Sequence, residues 1–230
     1  MIRPSNDYNR WRSDWTLEQV PWVSEETNRF FYDNYGEISS YFDQELAPKA
    51  LVPLCGDSGV LRFLFDRNFE VTGVEYVAEA VTRLIGQSFS DLTWHQQGQE
   101  IVQHQAAGMR ICQQDFFTFD ANSQYSFVYD RGALVALEPK LRQEYAQKII
   151  RALSPGGVYF VEIMESQGYH PSNAPFPVSQ VELRELYPQM EQLPFHLEKR
   201  YLPDEMPERF VVQGVKQLAR CALLFRKPKR

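Results

Sequence analysis

The residues that could do chemistry sit where apolar runs end. The stretch LVPLCGDSG (51–59) leaves a buried-strand pattern and enters Cys55, Gly56, Asp57, Ser58 and Gly59. Glycine at such a turn lets a ligand come close to backbone. The next run, FEVTGVE (69–75), ends in Glu75, 19 residues beyond Gly56. A carboxylate there can accept hydrogen bonds from a ribose 2′,3′-diol, and the spacing is near the ~20 residues of dinucleotide-binding folds. The competing role for Glu75 is to cap the helix that starts near Val77.

The ligand these residues suit is a nucleoside without phosphates. Phosphate cradling needs several glycines and converging backbone N–H groups. The turn has Gly56 and Gly59, no lysine, and neither the G-x-G-x-x-G nor the Walker A pattern. S-adenosylmethionine (SAM) is the common nucleoside of this kind. Asp115, at the end of the following apolar run, can accept from the adenine amino group, with Phe116 or Phe117 beside the ring; taken alone it reads equally well as a turn residue.

These residues need strands and helices to place them. ALVPL (50–54), FEVTGVE (69–75), MRICQQ (109–114), YSFVYD (125–130) and GVYFVEIM (157–164) read as strands, with FHLEKRYL (195–202) and ARCALLFRK (219–227) closing the sheet. Helices are expected over 58–68, 77–87, 138–153 and 181–187. In the third of these, Leu137, Leu141, Tyr145, Ile149 and Leu153 recur every four residues, with Glu138/Arg142 and Glu144/Lys148 as i,i+4 pairs on its flanks. Strand–helix alternation implies βαβ units and a mostly parallel sheet. Ligands of such sheets bind outside the carboxyl ends of the strands, where both CGDSG and YDRGA (129–133) fall. The Gln-rich segment 88–108 reads as an insertion, and 166–178, with three prolines, as a loop over the sheet edge.

Composition narrows the class. A chain of 230 residues that is 43% hydrophobic can bury a core without disulfides or metal. A formal charge of −6 argues against nucleic acid or an anionic membrane as the main partner. No apolar run approaches the ~20 residues of a membrane span. Cys55, Cys112 and Cys221 are far apart, and no C-x-x-C occurs, which suits a reducing cytoplasm. His95, His104, His170 and His196 show no metal-ligand spacing with a second His or Cys, so no metal is expected. Cys55 reads as a packing residue, not a nucleophile.

Several pieces together resemble the thiopurine S-methyltransferase family. VPLCG (52–56), VTGVE (71–75) and QQDFF (113–117) are similar to its first three strand ends, and YDRGALVALEPKLRQEYA (129–146) is similar to its most specific signature. WRSDW (11–15) with Trp22 resembles a Trp-rich lid, and PERF (207–210) a Glu-Arg stretch before the last strand. The resemblance runs through essentially the whole chain. It implies a Rossmann-like class I methyltransferase: an α/β fold with a mostly parallel seven-stranded sheet, helices on both faces and an antiparallel last strand. It also implies a single domain over 1–230, with 1–47 as a helical lid region. Carried over residue by residue, it places Trp11, Trp22, Leu54, Gly56, Glu75, Gln114, Asp115, Phe116 and Arg131 around SAM. Arg131, Asp130 and Arg209 become the catalytic candidates on the acceptor side. Two positions depart from the pattern: Asp57 stands where the family has lysine, reversing a charge beside the cofactor turn, and Tyr129 replaces a tryptophan.

Methyl transfer to sulfur suits these residue types. The sulfonium is an excellent leaving group, and a thiol or thione of low pKa is partly ionised near neutral pH. What remains is alignment of nucleophile, methyl carbon and sulfonium, which recovers several kcal/mol of barrier. Arg131 can hold an anionic sulfur; the competing reading pairs it with Asp130 or a helix carboxylate. Trp11, Trp15 and Trp22 can pack on the cofactor and its cation. The expected reaction is SAM-dependent methylation of a small thiol or thione, leaving S-adenosylhomocysteine, by a cytoplasmic monomer. Two alternatives stand beside it. One is a SAM enzyme with another small acceptor: halide, thiocyanate, a selenium or tellurium oxyanion, or an O or N nucleophile. The other is a non-catalytic nucleoside-binding module or a dinucleotide oxidoreductase, the latter disfavoured by the absent glycine fingerprint.

Overall fold

The computed structural model describes residues 6–17, 20, 28–98 and 102–229. Helix α1 (Asn6–Thr16) is followed by the short α2 (Arg29–Tyr32) and α3 (Tyr35–Ser40), then β1 (Lys49–Pro53), α4 (Val60–Phe65), β2 (Glu70–Glu75) and α5 (Ala78–Ser88). Strands β3 (His95–Gln97), β4 (Val102–Ala106), β5 (Met109–Gln113) and β6 (Tyr125–Arg131) lead to α6 (Pro139–Ala152) and the long β7 (Leu153–Gln167). The chain finishes with α7 (Gln180–Leu186), β8 (Glu191–Arg200), α8 (Glu208–Val211) and β9 (Gln217–Arg226).

Two compact units result. The first comprises Pro48–Asp120 with the described residues up to Asn28. Its strands run in the order β3-β4-β5-β2-β1. β1 and β5 flank β2 in parallel, while β4 is antiparallel to β5 and β3 to β4. β1 and β2 are buried on both faces along nearly their whole length, as strands central to a parallel sheet are. At Gly73, a Cβ would meet Leu61 Cδ2 at 2.8 Å and Cys55 Sγ at 2.9 Å, so glycine lets α4 and the turn after β1 pack against β2.

The second unit is Arg29–Ala47 with Ala121–Arg230, and its strands run β6-β7-β9-β8. β6 is parallel to β7, and β9 is antiparallel to both β7 and β8, so the last strand is the reversed one. Phe31 is fully buried here against Phe127, Tyr129 and Phe160, and Tyr129 stacks on Phe160 with rings 5.2 Å apart. An aromatic core therefore absorbs the tyrosine that replaces the family's tryptophan. α6 starts with Pro139 in its first turn, where a missing N–H costs nothing. Ser179 caps α7, its Oγ accepting from Glu182 N at 3.0 Å.

Nine strands are present among the described residues, against the seven expected. The two extra ones, β3 and β4, come from the polar segment 88–108. β3 (HQQ) is exposed at every residue, so no apolar alternation announces it. A second correction concerns Arg142. Instead of an exposed pair with Glu138, its side chain is buried, 2.7 Å from Glu182 of α7, and it donates to the carbonyls of Leu137 and Phe176. Glu138 pairs with Lys140 at 2.6 Å.

Candidate active site

In the first unit the groups singled out by sequence meet around one turn. β1 stops at Pro53; Leu54 (φ +45°) and Gly56 (φ +52°) turn the chain in the left-handed region. Glu75, at the end of β2, is buried and reaches across to this turn. Its Oε2 accepts from Gly56 N at 2.9 Å, and its Oε1 accepts from Tyr76 N at 2.7 Å and Val77 N at 2.8 Å. A carboxylate offers about four acceptor sites, so these bonds leave about one. Glu75 thereby ties the turn to β2 and to the backbone entering α5, and has room for one further donor. Burial pushes its pKa up, against the pull of the three N–H groups.

Helix α1 packs against this turn. Trp15 of α1 is buried with Val20, Val77 and Ala80, and Tyr8 and Trp11 pack against that cluster. A Cβ on Gly56 would lie 2.9 Å from Trp15 Cζ2, so the indole edge rests on the turn's backbone. Arg12 binds Glu79 of α5 at 2.7 Å, and Tyr8 meets Tyr76 edge-on at 4.6 Å. Arg10 lies over the Trp11 ring at 4.4 Å. Trp22 lies outside the described residues.

Past β5, Gln114 N donates to Glu75 O at 2.9 Å, which brings this strand end beside the turn. Asp115 Oδ1 accepts from Phe117 N at 2.9 Å, the turn role weighed for it, while its charge raises the pKa of Tyr76, after burial, and so marks the two as neighbours. Phe116 is buried and stacks on Phe119 at 6.2 Å. Asp57, the reversed charge, is buried and lies 2.7 Å from Arg83 Nε of α5. The charge beside the turn is therefore neutralised within the protein. Cys55 is buried, and burial with the neighbouring Glu75 raises its thiol pKa well above the usual range, as befits a packing residue.

In the second unit, Asp130 is fully buried at the end of β6. Oδ1 accepts from Ala133 N and Leu134 N, each at 3.1 Å, and Oδ2 from the hydroxyls of Tyr145 and Tyr159, each at 2.7 Å. Tyr187 donates onward to Tyr159 at 3.1 Å. All four acceptor sites are used by the protein. These bonds make Asp130 the anchor of the DRG turn. Arg131, the next residue, leaves this anchor; its Nε is 3.8 Å from Glu162 Oε1 on β7. Glu162 is held in turn by Arg220 of β9, with Nε at 2.7 Å. Arg131 thus has a strand carboxylate, Glu162, as an ion-pair partner.

Arg209, on α8, lies over Phe210 at 4.9 Å beside an apolar cluster of Met164, Tyr169, Met206, Phe210, Val215 and Leu218, with Val135 and Tyr201 against it. Desolvation and the charge of Arg131 push its guanidinium pKa down, with Tyr169 opposing. The two arginines, from distant parts of the sequence, are thus within range of each other's charge. No carboxylate pairs with Arg209 among the described residues, although Glu205 and Glu208 are close in sequence; Glu205 instead accepts from Leu202 N at 3.2 Å. Sequence reasoning missed Arg83, Glu162, Arg220 and the three tyrosines. One signal was available: Glu162 interrupts the apolar run GVYFVEIM, and a charge inside a buried strand needs a partner.

With this geometry in place, likeness to known proteins decides the family. The family model described as thiopurine S-methyltransferase matches residues 6–222. The chain belongs to that family. A thiopurine S-methyltransferase of Vibrio cholerae is 31% identical over 177 residues, 77% of this chain and 79% of its own. That of Vibrio vulnificus is 28% identical over 219 residues, 93% and 94% of the two chains. The protein is accordingly a SAM-dependent methyltransferase. Among solved structures, the 1,6-didemethyltoxoflavin-N1-methyltransferase of Burkholderia thailandensis superposes with a TM-score of 0.67 at 15% identity, covering 96% of this chain and 87% of that one. The N-methyltransferase NodS of Bradyrhizobium japonicum gives 0.63 at 10% identity, covering 98% and 100%. These likenesses show the Rossmann-like class I fold. The turn at Gly56 fits an adenosyl group: no lysine stands in it, backbone and an indole edge line it, and Glu75 keeps one acceptor site. No helix among the described residues is long and apolar enough to cross a membrane.

Proposed function

We propose that the methyl acceptor is a small aromatic or heteroaromatic thiol or thione whose sulfur carries negative charge. The observation that carries this reading is Arg131 and Arg209, within range of each other's charge, beside an apolar, aromatic cluster. Two guanidiniums favour an anion, and the cluster of Tyr169, Phe210, Met164 and Met206 favours an apolar ring. Arg131 holds the sulfur's charge and lowers its pKa, so that no separate base is needed. Glu162 and the Asp130 anchor orient Arg131. Bound SAM supplies an electrophilic methyl group on a sulfonium. Leu54 and Gly56 offer backbone to its adenosyl part, Glu75 takes one ribose hydroxyl, and the second oxygen of Asp115, with Gln114 and Phe116 beside it, reads the adenine. Trp11 and Trp15 cover that side and exclude water.

The test is methyl transfer from SAM to three acceptor sets: aromatic thiols and thiopurines, thiocyanate and iodide, and amines or phenols. The expected order is aromatic thiols first. Arg131→Met and Arg209→Met should each lower kcat/KM for the thiol at least tenfold, while SAM affinity, read by calorimetry, changes less than threefold. Faster turnover of thiocyanate or iodide than of any aromatic thiol would overturn the ring part of the reading. Wild-type kcat/KM for the thiol in both arginine variants would overturn the charge part.

A further inference from the structure

Away from these groups, one sheet face of the second unit gathers metal-ligating side chains of three kinds. His196 and Glu198 are two apart on β8 and so share a face. The β8–β9 register sets His196 opposite Leu223 and Glu198 opposite Cys221. The β7–β9 register sets Ile163 opposite Cys221 and Glu165 opposite Ala219, which brings Glu165 to the same face. Its Oε2 is 3.8 Å from Cys221 Sγ. One ligand atom from each of His196, Glu198 and Cys221 lies within 4.8 Å of the others. Arg220 and Glu162 have the opposite parity in these registers and belong to the other face.

We propose that His196, Glu198 and Cys221 form a binding site for a divalent transition metal of the zinc type, with Glu165 as the fourth ligand. Imidazole and thiolate select zinc-like ions over magnesium or calcium, and four ligands suit tetrahedral zinc. Metal–ligand bonds of about 2.0–2.3 Å place neighbouring ligand atoms roughly 3.3–3.7 Å apart. Glu165, at 3.8 Å from the thiol, is just beyond that separation. His196 and Glu198 need to close by about 1 Å, within the reach of rotamer adjustments in exposed side chains. Two contacts compete for these ligands, and both are weak: Glu198 pairs with Arg200, whose side chain is 77% exposed, and the Gln180 amide donates at long range to Glu165 Oε2 (3.4 Å) and Cys221 Sγ (3.7 Å). Glu165 is oriented from outside, its Oε1 accepting from Gln180 N at 2.7 Å.

Binding forms a metal–sulfur bond and releases the Cys221 proton to solvent. A cation placed among Cys221, Glu165 and Glu198 would offset the negative charge gathered there. The ion would clip the edge strand β8 to β9 and β7. None of these four residues belongs to the methyl-transfer groups, so the two readings stand or fall separately.

The experiment is titration of the full chain with Co²⁺, read as thiolate-to-cobalt charge-transfer absorption and displaced by Zn²⁺. One equivalent should bind. Cys221→Ser should abolish the band, and His196→Ala, a surface change that leaves the fold intact, should weaken Co²⁺ at least tenfold. Zn²⁺ should raise the thermal midpoint and Mg²⁺ should not. Methyl transfer by the His196→Ala variant should be unchanged. Absence of the band, its survival in Cys221→Ser, unchanged affinity in His196→Ala, or equal stabilisation by Mg²⁺ would each overturn the site. If Cys221→Ser fails to fold, the His196→Ala titration decides alone.

Discussion

Replacing Asp130 with asparagine separates an anchor from a catalytic group. The carboxylate is fully buried and accepts four hydrogen bonds, two of them at 2.7 Å from the hydroxyls of Tyr145 and Tyr159. Asparagine keeps one carbonyl oxygen for Ala133 N and Leu134 N. It presents an NH2 group where both tyrosines now donate. Each hydrogen bond to a charged acceptor contributes about 1.5–3 kcal/mol. The hydroxyls can rotate to accept, and the cost of burying a charge disappears, so the expected net loss is about 2–4 kcal/mol. Against a total stability of ~5–15 kcal/mol this is large. Urea unfolding followed by circular dichroism reads it, with turnover measured well below the transition and normalised to folded protein. Burial raises the Asp130 pKa above its ordinary value. The folded state therefore holds the proton longer than the unfolded one, and this group's contribution falls as pH rises from the ordinary carboxylate value through the raised one. The gap between wild type and Asp130→Asn should narrow over that window. An unfolding free energy within about 0.5 kcal/mol of wild type would refute the anchor. So would full stability with turnover lost, which would return Asp130 to the chemistry.

Two further outcomes test the cofactor turn. Gly56→Ala places a side chain at φ +52° and a Cβ 2.9 Å from Trp15 Cζ2. The left-handed penalty alone is about 1–2 kcal/mol, and SAM affinity in calorimetry should fall with it; Trp15→Ala in the same chain should restore part of the stability, and no restoration would remove the indole from the turn. Asp57→Ala strands the Arg83 cation, whose side chain is 27% exposed, so the cost should be about 1–2 kcal/mol, less than for a fully buried pair. Asp57→Lys should cost more than alanine, because it sets two cations side by side; a neutral lysine variant in urea unfolding would show that the Asp57–Arg83 pair carries no weight.

Much of the cofactor side was legible in the chain. β1 and β2 announce themselves because both faces are buried along nearly their whole length, and the groups that follow β1, β2 and β5 sit at strand ends by topology alone. The DRGAL motif and its neighbours carried the family. Local pattern reached less far where polar residues are involved. The strand β3 is polar and exposed, and the described residues of β4 are only partly buried, so no periodicity distinguishes them from loop. Arg142 reads as a surface i,i+4 partner, because the sequence cannot say that α7 folds over that face.

What the sequence by itself determined is therefore the alternation of strand and helix, the turn at Gly56, the residues at the strand ends and the class of enzyme. What only the tertiary structure decided is which groups meet. Glu75 spends its oxygens on backbone N–H groups, Asp57 finds Arg83, Arg131 finds Glu162 and Arg209, and His196 meets Cys221 across a strand pair. The physical reason is common to all of them. Helix and strand periodicity is set by bonds between near neighbours along the chain. Charge pairing, acceptor capacity and metal-ligand distance depend on residues that strand order and register bring together, and neither is written in the local pattern.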